Sequence, residues 1–441
     1  MNTLNFLRYI PIFLVLAVYL PASILGIFAF QDRYALNLLL ILFLFLAIYL
    51  IGYRWAAIAT DAIRSILSRG RVLNFGLFLA FVSLVYLIVT AYAIVTADAV
   101  PLIVAFSGGS EMDIANARAS YLSSREGYES IIRYVSFIAS RAIIPMVVLY
   151  LFFWRNELRF FFLIAVMFIY SLTLEKVVPV FAMLPLFVFY FLSRQFLACF
   201  YVFLSIFSLI FLLSWISYGG LHEGQVIEDS RNQSVSSSLQ FPEGVLIKGP
   251  VENSERLYLK CVVPLMFLNK EDFDCFDSAY TLDLVLVDRV LWVPYITAYD
   301  WLVFQDVGLK GRLTMGRSVS LVHRLFGEPK MQLEKIIYAY QRGASPGGAG
   351  TANTLFLIDA KLAFGWLGVV IYSFVLVFCA AIIFSSSNLV LKLASINSFL
   401  VVVVSPLTAT LLSGGLAIFV ILALFLPSDD SASNDEIAVR L

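Results

Sequence analysis

The sequence predicts an all-α polytopic integral membrane protein. It should have about ten transmembrane helices and a large, partly helical outer loop between the seventh and eighth spans. Three observations lead there. Hydrophobic residues make up 61% of the chain and charged ones 14%, with a mean hydropathy of +0.91. The apolar residues are gathered in runs of roughly 17 to 25, the length that crosses a hydrocarbon layer of ~30 Å. Lys and Arg in the short connections all fall on one side when ten spans are threaded, as the positive-inside rule requires.

Taken in order, single spans are predicted over Tyr9 to Phe30, Tyr34 to Ile51, Val72 to Thr96, Val135 to Trp154, Phe196 to Ser217 and Leu355 to Phe384. Two further runs, Phe160 to Leu192 and Ala394 to Leu426, are each roughly 33 residues, longer than one tilted span needs. Glu175, Lys176 and Pro179 interrupt the first; Ser405-Pro406 and Ser413-Gly414-Gly415 interrupt the second. Each is therefore predicted as a tight hairpin of short helices, a pattern that points to a cavity within the membrane. Arg54, Arg64, Arg69, Arg71, Arg155, Arg159, Arg194 and Lys392 then lie on the cytoplasmic side with both termini.

This threading divides the chain into an N-terminal bundle (1–217) with an outer loop (98–134), a large outer loop (218–354), C-terminal helices (355–426) and a cytoplasmic tail (427–441). Within the large loop, Gly219 to Pro250 lacks apolar pattern, whereas Leu282 to Phe304 is apolar enough to lie along the interface. Pro294 is expected to kink or end that helix five residues after Arg289.

The outer side collects the candidate chemistry. Arg118, Arg125 and Arg133 share roughly 80° of arc if their segment is one helix, and Arg141 continues the series into the next span. Such a row suits a phosphate group, which guanidinium meets bidentately, and snorkelling interface arginines are the alternative. Glu175 and Lys176 at the hairpin tip form either an ion pair closing a turn or a base beside a second phosphate ligand. Arg289 beside Asp288 is a costly cation at a membrane surface unless it meets an anion; a salt-bridged amphipathic helix on lipid is the alternative. Asn353, Asp359 and Lys361 stand at the mouth of the eighth span, where Lys361 is expected to meet water.

The net charge of zero gives no sign of nucleic-acid binding. His222 and His323 are the only histidines, and no Cys or carboxylate grouping has metal-ligand spacing, so neither a metal nor another cofactor is expected. Glu111 and Asp113 could form an acidic pair, though that spacing is common by chance. Cys261 and Cys275 are either a disulfide or two thiols.

Three stretches together resemble the bacterial O-antigen polymerases, the Wzy family. They are Ala115-Asn-Ala-Arg118-Ala through Arg141-Ala-Ile-Ile-Pro145, Arg289-Val-Leu-Trp-Val-Pro294, and Ala352-Asn353-Thr354 with Gly365-Trp-Leu-Gly368. Leu174-Glu-Lys176-Val-Val-Pro179 fits the family's short hairpin. The resemblance implies a metal-independent glycosyltransferase of lipopolysaccharide biosynthesis at the periplasmic face of the bacterial inner membrane. It would pass a growing glycan from undecaprenyl diphosphate to another lipid-linked repeat unit, with a chain-length regulator as an open second protein partner. Carried over by position, Arg118 and Arg289 would contact the diphosphate or glycan, and Lys176 and Asn353 would line the same cavity. The row that includes Arg125 and Arg141 would add to substrate binding, the charge developing on the diphosphate would be stabilised by cations such as Arg289, and Glu175 or Asp359 would serve as general base near the acceptor. Related O-antigen ligases carry His-Asn before the Gly-x-x-Gly segment. This chain has Asn353-Thr354 there, which favours polymerase over ligase; a lipid-linked oligosaccharide flippase is the reading from a different class.

Overall fold

The computed structural model describes residues 6–67, 74–123, 125, 129–217, 288–316, 331–342 and 351–425. The stretch Gly219 to Pro250, both histidines, the cysteine pair Cys261 and Cys275 and the C-terminal tail lie outside the described residues. Among those described, regular structure is entirely helical. Six helices are long and apolar enough to cross a membrane, and four shorter apolar helices accompany them.

The chain enters through α1 (Ile10–Phe30) and returns through α2 (Arg33–Leu67). At 35 residues, α2 is about 52 Å long, well beyond the ~30 Å of hydrocarbon. It outruns the apolar stretch Tyr34 to Ile51 because its continuation remains amphipathic: Gly52 and Thr60 are buried on one face, while Trp55, Ile58 and Ile66 are exposed on the other. α3 (Phe75–Val95) follows, capped by the Asn74 side chain, which accepts from Leu77 N–H.

Then come the short α4 (Pro101–Phe106) and α5 (Glu111–Ser123), and a long rod made of α6 (Ser130–Ile138), a π-helical turn (Ala139–Ile143) and α7 (Ile144–Phe153). Helices α8 (Arg159–Ser171) and α9 (Val178–Leu192) form the first expected hairpin, and α10 (Phe196–Ser217) packs outside it.

A second π-helical turn (Asp288–Trp292) leads into α11 (Val293–Val307), and α12 (Leu333–Arg342) packs against α11. The C-terminal part consists of α13 (Phe356–Phe384), α14 (Leu389–Ala394), α15 (Ile396–Val403), α16 (Leu407–Leu412) and α17 (Leu416–Phe425). The Ser405-Pro406 and Ser413-Gly414-Gly415 interruptions fall at the breaks between α15 and α16 and between α16 and α17.

The centre of the bundle is α13 lying along α2, with the Phe45 ring edge-on to Phe356 at 5.7 Å. Among the long apolar helices described, α13 and the α6–α7 rod are the most buried and α10 is the least. α13 is not straight. Phe364 (φ −137°) and Gly365 (φ 67°, ψ −151°) leave helical geometry, and the second of these conformations is open essentially to Gly alone. The break frees carbonyls that a segment after α11 takes up: Thr314 N–H donates to Leu362 O at 2.9 Å and Met315 N–H to Ala363 O at 3.0 Å. Gly368 allows the bend to close, because a Cβ there would sit 2.1 Å from Ala360 O.

Pro294 occupies the first turn of α11 and does not end a helix. The π-helical turn Asp288–Trp292 runs directly into it, so the helix passes from π to α geometry at this proline, as it does at Pro145. Arg118, Arg125 and Arg133 likewise do not share one helix: α5 stops at Ser123 and α6 begins at Ser130.

Candidate functional site

The site is built around two proline-weakened helices and one asparagine. In an α-helix the N–H of each residue bonds the carbonyl four residues back. Pro145 and Pro185 lack that N–H, so the carbonyls of Arg141 and Phe181 lose their ordinary partners. Both turn toward Asn397, fully buried on α15, whose amide donates to Phe181 O at 2.6 Å and to Arg141 O at 3.4 Å. One side-chain NH2 therefore serves two orphaned carbonyls on different helices, which is how a membrane interior tolerates such breaks. Near Pro145 the chain widens to a π-turn, with Ile144 N–H bonding Ala139 O. Gly415 (φ 79°), just before α17, lies against it; a Cβ at Gly415 would lie 2.5 Å from that of Ala142.

Arg141 projects from this π-turn. Its guanidinium lies over the rings of Phe137 (5.1 Å) and Phe181 (5.9 Å) and is half-buried. Glu175 faces it from the turn between α8 and α9 and feels the charges of Arg141 and, more weakly, of Arg118. That turn is held in place by Leu174, fully buried in a left-handed conformation (φ 52°) that Leu rarely adopts, and by Leu102 N–H donating to Leu172 O at 3.1 Å.

Leu174 belongs to a small apolar cluster with Ala105 of α4, Ile114 of α5, and Leu213 and Ile216 of α10. Arg118 comes one helical turn after Ile114, on the same side of α5, and is thereby aimed toward the Glu175 turn. Neither guanidinium closes a direct ion pair with Glu175 among the described residues. Burial pushes the Glu175 carboxyl above the usual carboxylate range, against the pull of Arg141 and then Arg118. Two arginines and a reluctant carboxylate, spaced rather than paired, leave guanidinium donors for an incoming anion. Lys176, next to Glu175, is half-buried and already engaged.

The remaining candidates are placed elsewhere. Arg125 is buried and turned inward, donating to Ala93 O at 2.9 Å and pairing with Glu129 at 3.4 Å, so it caps the C-terminal carbonyls of α3. Arg133 lies beside Tyr134, its guanidinium 5.6 Å from the ring centre. Asp113 closes a reciprocal cap at the start of α5: its carboxylate accepts from Ser110 N–H (2.9 Å) and Ser110 Oγ–H (2.7 Å), and its own N–H donates to Ser110 Oγ (3.2 Å). These bonds hold its carboxyl below the usual range.

Arg289 stands exposed on the second π-turn while Asp288 beside it is buried. Trp292 of that turn and Tyr295 and Tyr299 of α11 stack around Phe30 at the end of α1, and Tyr299 O–H donates to the Asp32 carboxylate. Asn353 is exposed just after Ala352, whose N–H bonds Glu334 O and whose carbonyl accepts from Trp301 Nε1. Asp359 is 1% exposed, so it offers no carboxylate at the surface. Lys361 does not simply meet water: the break in α13 brings Trp366 beneath its ammonium, 4.0 Å from the ring centre.

Asn397 and Pro185 were not expected as site-building residues. The signal available was proline spacing, since Arg141 and Phe181 each stand four residues before a proline.

Fold and site together define a helical membrane protein with a half-buried cationic cluster where a short hairpin and α15 meet a π-turn. The chain matches no protein-family model, no curated protein and no solved structure, so the reading of its site rests on its own residues.

Proposed function

We propose that the protein is a polymerase of lipid-linked oligosaccharides, an O-antigen polymerase in kind. It would transfer a growing glycan from undecaprenyl diphosphate to a second lipid-linked repeat unit at the periplasmic face of the bacterial inner membrane, with both termini in the cytoplasm. The observation that carries this reading is the Arg118–Arg141–Glu175 cluster, a half-buried carboxylate in the turn between α8 and α9 that feels the charges of two arginines.

In the proposed reaction an acceptor hydroxyl attacks the anomeric carbon of the donor glycan. The new C–O bond forms as the bond to the diphosphate breaks, and the diphosphate leaves with the electron pair. Arg141 and Arg118 stabilise the negative charge that develops on it, and the hydroxyl proton passes to Glu175. The base role falls to Glu175 because Asp359 is buried. Arg289, exposed on its own π-turn, is assigned to phosphate or glycan oxygens, and Asn353 to the glycan.

Purified protein incubated with undecaprenyl-diphosphate-linked repeat units tests this reading. A ladder of lengthening products supports it. A single adduct on lipid A core would make the protein a ligase, and translocation of intact substrate without bond formation would make it a flippase.

A further inference from the structure

Among the described residues no acceptor takes a hydrogen bond or an ion pair from the half-buried Arg141 guanidinium. What lies against it instead is a pair of aromatic rings. The two arrive for different reasons. Phe137 stands four residues earlier on α6, and long helical side chains lean back toward the N-terminus over that face, which sets the guanidinium 5.1 Å from its ring centre. Phe181 comes from another helix, α9; it is 5% exposed, and its ring centre lies 5.9 Å from the guanidinium. Both distances are within the ~6 Å over which the negative face of a ring attracts a cation.

Phe181 is set apart by its backbone. The Asn397 amide donates to Phe181 O at 2.6 Å and to Arg141 O at 3.4 Å, so Arg141 is referred to Phe181 twice, at its root through the shared amide and at its tip through the ring. A side chain already fixed at both ends loses less freedom when it meets a ligand. A ring also holds a guanidinium without using its N–H donors, which stay available for phosphate oxygens. Arg125 shows the contrast: Ala93 O at 2.9 Å and the Glu129 carboxylate at 3.4 Å take its donors, and it works as a cap.

We propose that Phe181 is a positioning residue for Arg141, whose ring aims the guanidinium at the diphosphate of a lipid-linked substrate while leaving its donors free. This rests on the reading of the site as one that handles such a diphosphate.

The test places a graded series of fluorinated phenylalanines at position 181 of the full-length protein, since each fluorine draws electron density from the ring face and changes its shape little. Native mass spectrometry then compares retention of undecaprenyl diphosphate with that of undecaprenol, which has the same tail and no phosphate. The wild type should prefer the diphosphate, and the preference should fall stepwise with fluorination, by about tenfold for the fully fluorinated ring. In an Arg141→Gln background the same series should have no effect, because the interaction belongs to the pair; a merely structural role for Phe181 would persist there. A preference that stays constant or rises with fluorination overturns the proposal, as do a wild type without preference and a series acting equally in both backgrounds. If the fully fluorinated variant does not fold, the singly and doubly fluorinated ones decide. Product ladders test the polymerase reading separately. A ladder from a protein whose diphosphate preference ignores fluorination sinks this proposal alone, whereas fluorine-dependent binding without a ladder removes the polymerase and keeps the assignment of Phe181.

Discussion

Replacing Asn397 by Leu isolates the device that joins the two proline-weakened helices. Leu keeps the branch at Cγ but is the larger side chain, so at this fully buried position overpacking adds to the loss of hydrogen bonding. The change leaves the carbonyls of Phe181 and Arg141, now accepting at 2.6 and 3.4 Å, without donors in an interior where no water reaches. An unsatisfied buried polar group costs about 1–3 kcal/mol. The shorter bond should weigh at the upper end of that range and the longer one at the lower end, roughly 4 kcal/mol together. Against this, Asn397 Oδ1 is itself buried without a partner, and removing it returns about 1–2 kcal/mol. The net expectation from hydrogen bonding is a loss of about 2–3 kcal/mol, together with release of the π-turn that presents Arg141. Reversible unfolding in mixed micelles measures the first, and product ladders from folded Asn397→Leu protein measure the second. Asn397→Asp should do worse, because a carboxylate would oppose two carbonyl oxygens. Unchanged stability in Asn397→Leu would refute the claim that the amide serves both carbonyls.

Gly368→Ala should cost about 1–3 kcal/mol by overpacking, since its Cβ would meet Ala360 O at 2.1 Å and the obstacle is backbone; an unaltered unfolding midpoint would contradict the bend in α13. Arg141→Lys should reduce glycan polymerisation by tenfold or more, since one ammonium cannot reproduce bidentate phosphate contact, and ladder length reads this directly. Arg289→Ala should leave single-repeat products but no long chains; full-length chains in that variant would remove Arg289 from the mechanism. Burial raises the Glu175 carboxyl, so its neutral form is the one the fold favours. Any stability from that preference is fully present at low pH and is lost as pH rises through the raised value, whereas base function appears over the same rise. The rate–pH profile should accordingly carry a limb displaced above the ordinary carboxylate range, and Glu175→Gln should flatten it.

Much of the architecture was legible in the sequence because membrane burial is written in runs. The spans beginning near Tyr9, Val72 and Phe196 each correspond to a helix, and the interruptions at Glu175-Lys176 and Ser405-Pro406 mark real helix breaks. Helix irregularities were less legible. Pro294 reads as a kink or an end, and the π-helical turn that runs into it is a geometry sequence periodicity does not specify. Gly365 could be quoted within a motif, but its positive φ and the capping of Leu362 and Ala363 by Thr314 and Met315 are tertiary facts. Among the candidate side chains, Arg118, Arg141 and Glu175 converge, whereas Arg125 turned inward because the end of α3 had carbonyls to satisfy. Charge and spacing identify an arginine; they do not say which acceptor reaches it first.

The arrangement around Asn397 also sets an order of events during synthesis. Arg118, Arg141 and Glu175 are all translated well before the amide that secures the π-turn, which arrives with α15. The carbonyls of Phe181 and Arg141 gain their shared donor only then. A chain cut short before α15 would carry the cluster without the means to aim it.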